Sequence, residues 1–419
     1  MCFADKYFSK HQQYPFQITG TPDTNLNLIV VIPCFNEPQL LNSLNSIWNC
    51  TRPEKSVEII IVVNNSENSD ISVKEQNKKT IFEVKNWIKN HFETSFRFFL
   101  ITQLNLPEKF AGVGLARKIG MDEAINRFNI LNNQNGIIIS FDSDSICETN
   151  YLTEIENHFR NFPKTNGCNI HFEHPVKGTE FPDKVYETII QYEMYLRYFV
   201  QSLRFIGFPY AFHTVGSCFA VKASAYIKQG GMNRKQAGED FYFLNKIFQL
   251  ENFSELNTTK VKPSPRPSNR VPFGTGATIK NMTENKINEL LVYNFEAFVD
   301  LKYIFSRNNK LYKADKETIN SFVKSCPKPI RKFIEQNNFT ESIEEINNNV
   351  SNSKTFTKRF YSYFNAFYII KLLNYTHKFY YTKIPVKEAS KILVKHLTKE
   401  DICFDSDLKA LEMLRKIED

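Results

Sequence analysis

Four apolar runs rich in β-branched residues mark the first third of the chain, at 28–32, 57–63, 96–102 and 136–141. Polar residues scarcely interrupt them, which is the pattern of strands buried on both faces of a parallel sheet. Apolar residues recur at helical spacing between them, over 39–48, 72–91 and 114–131. The alternation predicts an α/β fold with right-handed crossovers. Ligands of such sheets bind beyond the carboxyl ends of the strands. Three of the four runs end there in polar turn formers: PCFNE at 33–37, NNSEN at 64–68 and DSDS at 142–145.

The pattern changes twice further on. From Lys262 the chain is proline-rich, and after Asn281 helical spacing continues to the end with no strand. This predicts three parts: a polar N-terminal arm over 1–25, an α/β domain over 26–281 and an all-helical domain over 282–419. A chain of 419 residues is long enough for two domains. Its 42% hydrophobic and 23% charged content excludes a disordered or fibrous protein.

The net charge is +8, and its position matters more than its size. Between Ser351 and Glu400, ten basic residues stand against two acidic ones, which accounts for all of it. Lys383, Lys387, Lys391, Lys395 and Lys399 recur at every fourth position. At roughly 100° per residue the last four share an arc of about 120°, opposite Val386, Ala389, Leu393 and Leu397. This is a basic amphipathic helix. It reads either as the solvated face of a packed helix or as a dock for an anionic membrane surface. No aromatic–basic recognition motif accompanies the lysines, so no nucleic-acid partner is expected.

Eight cysteines show no CxxC spacing, and several sit in apolar stretches where a free thiol is ordinary. That usage suits a reducing cytoplasm. The first residues lack the apolar core of a signal peptide. No apolar run approaches the roughly 18 residues of a spanning helix. The expected location is the cytoplasm, with the inner face of a membrane as the extension of the basic-helix reading.

The candidate chemistry lies at the strand ends. Asp142 and Asp144 flank Ser143 directly after the fourth run. Two carboxylates at i and i+2 on a turn both reach one hard cation, and such an ion stabilises a diphosphate leaving group. Alone, the same D-x-D equally describes a solvated turn. Glu239-Asp240 reads as acids at a helix start or as a base facing a cleft. Arg266 and Arg270 precede Gly274-Thr275-Gly276. That segment reads as a stiff linker or as a basic loop closing over phosphates. His213 lies just before the strand that follows Gly216, and reads as a core histidine or as an acceptor contact.

Five motifs, in order, resemble those of a family 2 glycosyltransferase with the GT-A fold, over most of 26–280. They are IVVIPCFNEPQLLNSLNSI from Ile29, VEIIIVVNNSENS from Val57, GVGLARKIGMDEAI from Gly112, IISFDSDS from Ile138 and GSCFAVKASAYIKQGGMNRKQAGEDF from Gly216. The resemblance implies roles for these residues. Pro33, Asn36 and Glu37 would line the nucleotide pocket. Asn64 would accept a hydrogen bond from the base, with Arg117 near the base and phosphates. Asp142 would face the ribose and metal, and Asp144 would bind Mn2+ or Mg2+. Asp240, with Glu239 beside it, would be the general base. Gly216 and His213 would stand on the acceptor side.

Three departures shape the expectation. NNSENS replaces the family's acidic D-D-G-S, and Lys118 replaces the Asn of A-R-N-x-G. The Q-x-x-R-W motif of processive synthases is absent, since the only tryptophans are Trp48 and Trp87. The expectation is therefore a non-processive enzyme of the bacterial polysaccharide and glycan type. It would transfer one sugar from a nucleotide-sugar, UDP first, to a glycan or lipid-linked acceptor, with inversion. The alternatives are an inactive sugar-nucleotide or glycan-binding module on the same fold, and a nucleotidyltransferase. The latter favours a glycine-rich phosphate loop, which PCFNEP lacks.

Overall fold

The computed structural model describes residues 2–270, 272 and 274–418. The chain divides into two compact units, Met1–Val185 with Thr214–Lys280, and Tyr186–His213 with Asn281–Asp419.

The first unit is built on one sheet of eight strands. They are β1 (Leu26–Cys34), β2 (Ser56–Ser66), β3 (Phe96–Leu106), β4 (Ile137–Ser140), β5 (Ile146–Cys147), β6 (Gly167–Phe172), β7 (Phe219–Lys222) and β8 (Phe253–Lys262), in the order 3-2-1-4-7-6-8-5. Strands β3, β2, β1 and β4 are parallel, and β7 runs antiparallel to both β4 and β6. The α/β class and the first four strands agree with the apolar runs. The cause is visible in the burial: Leu28–Ile32 and Ile59–Val63 are fully excluded from water, as strands covered on both faces must be.

Helix Val113–Ile130 lies against β1 and β2. Gly120 permits the approach, since a Cβ there would stand 2.5 Å from Cγ1 of Val31. Yet this helix buries charged residues as well as apolar ones: Arg117, Lys118, Asp122, Glu123 and Arg127. Each buried charge needs a partner, and the fold supplies one. Arg127 meets Glu58 of β2 at 2.6 and 2.8 Å. Lys118 donates to Asp122 at 2.8 Å, and Asp122 also accepts from the hydroxyls of Tyr7 and Tyr226.

Tyr7 corrects one expectation. The N-terminal segment is not simply a polar arm: Asp5–His11 is a helix, and Ala4 and Tyr7 are buried on helix Val113–Ile130. The same contact explains Lys118, whose ammonium turns to Tyr7 and Asp122.

The second unit is helical, as its spacing predicts, with one small exception: Leu291–Val292 pairs antiparallel with Ile384–Pro385. The segment Tyr186–His213, most of it in helix Asp183–Phe205, groups with the helices that follow Asn281. Its core charges are also paired. Glu193 is fully buried and takes Arg197 at 2.9 Å and Arg415 at 2.8 Å. Among the described residues, no helix is long and apolar enough to cross a membrane.

The basic helix occupies Val386–Thr398, with Val386, Ala389 and Leu393 buried as the wheel requires. Its lysines have acidic neighbours. Lys387 lies 3.8 Å from Asp407, and Lys395 lies 2.9 Å from Asp401. Lys391 and Lys399 are exposed.

Candidate active site

The site forms where β1, β2 and β4 end. At the end of β1 the chain turns through Asn36, whose φ of 49° is left-handed, a conformation Asn tolerates. Its backbone N–H donates to Asn77 Oδ1 at 2.9 Å. Asn77 also donates from Nδ2 to the carbonyl of Asn64 at 2.9 Å, which joins the ends of β1 and β2. Pro33 remains within β1, buried and paired with Val62. Asn64 is buried; its Nδ2 donates to Gly112 O at 3.1 Å. Its Oδ1 has no hydrogen-bond partner among the described residues.

Arg117 is the hub. It is 2% exposed and spends its N–H groups on four partners. Nη2 meets Asp142 Oδ1 at 3.0 Å, and Nε donates to Glu239 Oε1 at 3.2 Å. Nη1 donates to Gly216 O at 2.8 Å and also to Ser140 Oγ. Burial by itself would ease its proton off, but Asp142, Glu239 and Asp240 outweigh burial and hold it charged. The hub therefore links the D-x-D turn after β4 to the start of helix Glu239–Phe248.

The two adjacent acids of that helix differ. Glu239 is 3% exposed and committed to Arg117; burial pushes its carboxyl up while Arg117 pulls it down. Asp240 makes no ion pair among the described residues. Its Oδ1 accepts from the N–H of Phe241 at 2.7 Å. A Cβ on Gly216 would lie 3.2 Å from its Oδ2, so this glycine keeps the space beside it open. Burial, and then the neighbouring Glu239, push the Asp240 carboxyl up to about 8.

Asp144 sits apart from the hub, with two arginines. Arg270 Nη2 and Arg266 Nη2 approach its Oδ2 at 3.1 and 3.4 Å. Both arginines also hold Glu37, which is fully buried. Arg266 donates to it from Nη1 at 3.1 Å and again from Nη2, and Arg270 Nη1 donates at 3.2 Å. The contact between Glu37 and the basic loop is one that sequence reasoning did not foresee. Arg270 also lines a cleft of about 260 Å3 with Ser66, Asn68, Ser69, Glu108, Ala111, Gly112, Gln236 and Pro272.

The donor set suits a cation shared with a substrate. No group of three or more His, Cys, Asp or Glu among the described residues forms a protein-only metal cage. Asp142 and Asp144 are hard oxygen ligands, and Mg2+ ordinarily uses one or two carboxylates plus phosphate oxygens. Burial, followed by the nearby Asp142 and Glu37 carboxylates, raises the Asp144 carboxyl despite its arginines. A divalent ion there would favour the charged carboxylate against its burial.

His213 lies elsewhere. It belongs to the second unit, where Nε2 meets Glu418 Oε1 at 3.0 Å. Two residues of the site went unnoticed in the sequence. Ser140, a polar residue ending an apolar strand two positions before Asp142, carried a usable signal. Asn77 carried none, as one of many polar residues along helix Ile71–Asn90.

A mixed sheet with a D-x-D turn beyond the carboxyl end of β4, tied by an arginine to an E-D helix start, is that of a GT-A glycosyltransferase. Residues 29–230 match the model of glycosyl transferase family 2, the family whose motifs they resemble. Among solved structures it is similar to TarS 1–349 from S. aureus, at 15% identity over 76% of this chain and 90% of that one, with a TM-score of 0.41. TarS 1–349 in complex with UDP-GlcNAc gives 14% identity, 76% and 91% coverage and a TM-score of 0.42. The mannosyltransferase PcManGT from Pyrobaculum calidifontis, in complex with GDP-Man and Mn2+, gives 11% identity, 99% and 93% coverage and a TM-score of 0.38. No curated protein matches the chain.

Proposed function

We propose that this glycosyltransferase moves a single sugar from a nucleotide-sugar, a UDP-sugar first, to a hydroxyl of a glycan or lipid-linked acceptor. The transfer proceeds with inversion and with a divalent cation, and serves cell-surface glycan or polysaccharide assembly. The observation that carries the reading is Asp240: a carboxylate with no ion pair among the described residues, raised toward neutrality, beside the open backbone of Gly216.

Asp240 accepts the proton of the acceptor hydroxyl. The hydroxyl oxygen bonds to the anomeric carbon as the bond from that carbon to the diphosphate breaks, and the configuration inverts. Glu239 is the poorer base because Arg117 already claims it. Arg117 keeps Asp142 and the helix start at one fixed spacing, so donor and base stay aligned. Asn64 Oδ1 is a buried acceptor that a base N–H would satisfy. Arg266 and Arg270 offer planar forks to phosphate oxygens. When bound by Asp142 and Asp144, Mg2+ or Mn2+ would neutralise charge on the leaving diphosphate.

The test is nucleotide release from UDP- and GDP-sugars, with and without Mn2+, in the presence of acceptor extract. Release from none of these donors would sink the reading. Asp144→Ala should abolish metal-dependent donor binding, and unchanged binding would remove the metal role.

The same reading extends to location. The exposed Lys391 and Lys399 would meet an anionic membrane surface, each adding up to ~1 kcal/mol. Salt-sensitive pelleting with anionic vesicles is the expected result; pelleting that ignores salt, or none, removes that extension.

A further inference from the structure

Arg266 and Arg270 each touch two carboxylates, and the two carboxylates hold them unequally. Glu37 is fully buried and saturated. Its Oε1 takes Arg266 Nη1 and the N–H of Gln39 at 2.9 Å, and its Oε2 takes one nitrogen from each arginine. Asp144 retains a quarter of its side-chain exposure and offers both arginines one oxygen, at 3.1 and 3.4 Å. Ser268 steadies the loop, with its Oγ accepting from Arg270 N and Nε at 3.1 Å.

We infer that Glu37 is a positioning residue. It anchors the two arginines, which occupy the cation place at Asp144 until a nucleoside diphosphate draws them off, so that metal and donor load together. This rests on the metal-assisted reading of the same site.

The reasoning is electrostatic. Two guanidiniums and a divalent ion cannot share one carboxylate oxygen without strong like-charge repulsion. In the donor-free enzyme the arginines therefore compete with the ion. A guanidinium has five N–H donors: Arg270 holds Glu37 through Nη1 and can turn Nη2 from Asp144 to a phosphate oxygen, while Arg266 keeps Glu37 through Nη1 as the Nη2 it shares between Glu37 and Asp144 turns. Bidentate phosphate contacts are among the strongest that arginine makes. Arg270 already borders the cleft beside Gly112 and Gln236, so the turn is short. The exchange frees Asp144 when the diphosphate arrives, and it weakens metal binding when the diphosphate is absent. Glu37 keeps both arginines at the site throughout. Its buried carboxylate is thus an attachment point and not a contact to the nucleotide.

Linkage makes this measurable, because each ligand must raise the other's affinity by one factor. Calorimetry on the full chain would titrate Mn2+ with and without UDP. The wild type should bind Mn2+ at least ~10-fold more tightly with UDP saturating, the size of one charge-assisted hydrogen bond. Arg266→Gln/Arg270→Gln should bind Mn2+ alone at least ~10-fold more tightly than wild type, with the UDP dependence reduced, on the same scale. Should that pair fail to fold, Arg270→Gln leaves Arg266 on Glu37 and carries the same comparison. Glu37→Gln should weaken UDP binding in the folded protein, and Glu37→Asp should recover part of it. Equal Mn2+ affinity in wild type with and without UDP overturns the inference while leaving the functional reading standing. So does an arginine variant that gains no Mn2+ affinity. Failure of any nucleoside diphosphate to bind with Mn2+ overturns both.

Discussion

Arg117 Nε donates to Glu239 Oε1 at 3.2 Å across 122 positions of sequence, and both side chains are shut off from water. The pair joins a helix on β1 and β2 to the E-D helix start. Among the described residues Glu239 has nothing else of opposite charge, and Arg117 has only Asp142 besides it, within ion-pair reach.

Breaking that pair should cost the fold. Arg117→Met leaves a buried carboxylate uncompensated, for which about 3–5 kcal/mol of destabilisation is typical. Arg117→Lys should recover little, because one ammonium cannot reach four partners in the plane of a guanidinium. Urea unfolding of the two variants measures both. A loss under about 1 kcal/mol for Arg117→Met would place the pair among exposed bridges in energy.

Asp240→Asn should separate activity from stability. Transfer should fall by roughly 10²–10⁴, the contribution of a general base. Stability should move the other way. The folded carboxyl is raised to about 8 from an ordinary value of 3.8, so folding favours its protonated form. The stability that form provides is full below the unfolded value and is lost as pH rises through about 8. Asparagine removes the loss, so the variant's melting temperature should exceed wild type most clearly at alkaline pH. Equal melting curves at pH 6 and pH 9 would contradict the raised carboxyl.

Gly216→Ala should damage the site with the fold largely intact. Its Cβ would stand 2.8 Å from Arg117 Nη2 and 3.2 Å from Asp240 Oδ2. Overpacking of this kind costs about 1–3 kcal/mol. Displacement of the base should lower kcat at least ~10-fold. Steady-state kinetics beside circular dichroism would reveal whether kcat drops while the helical signal persists.

Glu418 should govern acid stability of the helical unit. Burial pushes its carboxyl up, yet His213 and Arg197 overcome burial and hold it at about 2. A depressed carboxyl adds stability above its unfolded value of 4.5, and that stability is lost as pH falls toward about 2. Glu418→Gln should therefore lower stability at neutral pH and flatten its decline in that acid window. Acid titration followed by near-ultraviolet dichroism checks the slope, and an unchanged slope refutes the pairing.

Strands β1, β2 and β4 were legible because each is a local, continuous apolar run whose burial on both faces needs no knowledge of its neighbours, and β3 was legible from its apolar run alone. The D-x-D turn was legible for the same reason, being contiguous and placed by the strand before it. The N-terminal helix was not. Its polar composition suits solvent, and Tyr7 is buried where its hydroxyl meets Asp122, 115 positions away. The lysine helix was half legible. Its wheel showed which side packs, but the acids Asp401 and Asp407 meet the lysines only after the chain turns at Lys399, where φ is 67°.

By itself the sequence determined the α/β class, the order of the motifs and the glycosyltransferase family, because periodicity and contiguous motifs survive in one dimension. Only the tertiary structure decided which acid is committed and which is open, and that His213 answers to Glu418. It also brought Glu37 under the two arginines that approach Asp144. Those are matters of charge against charge in a dry interior, where a few ångströms set the energy and sequence distance sets nothing.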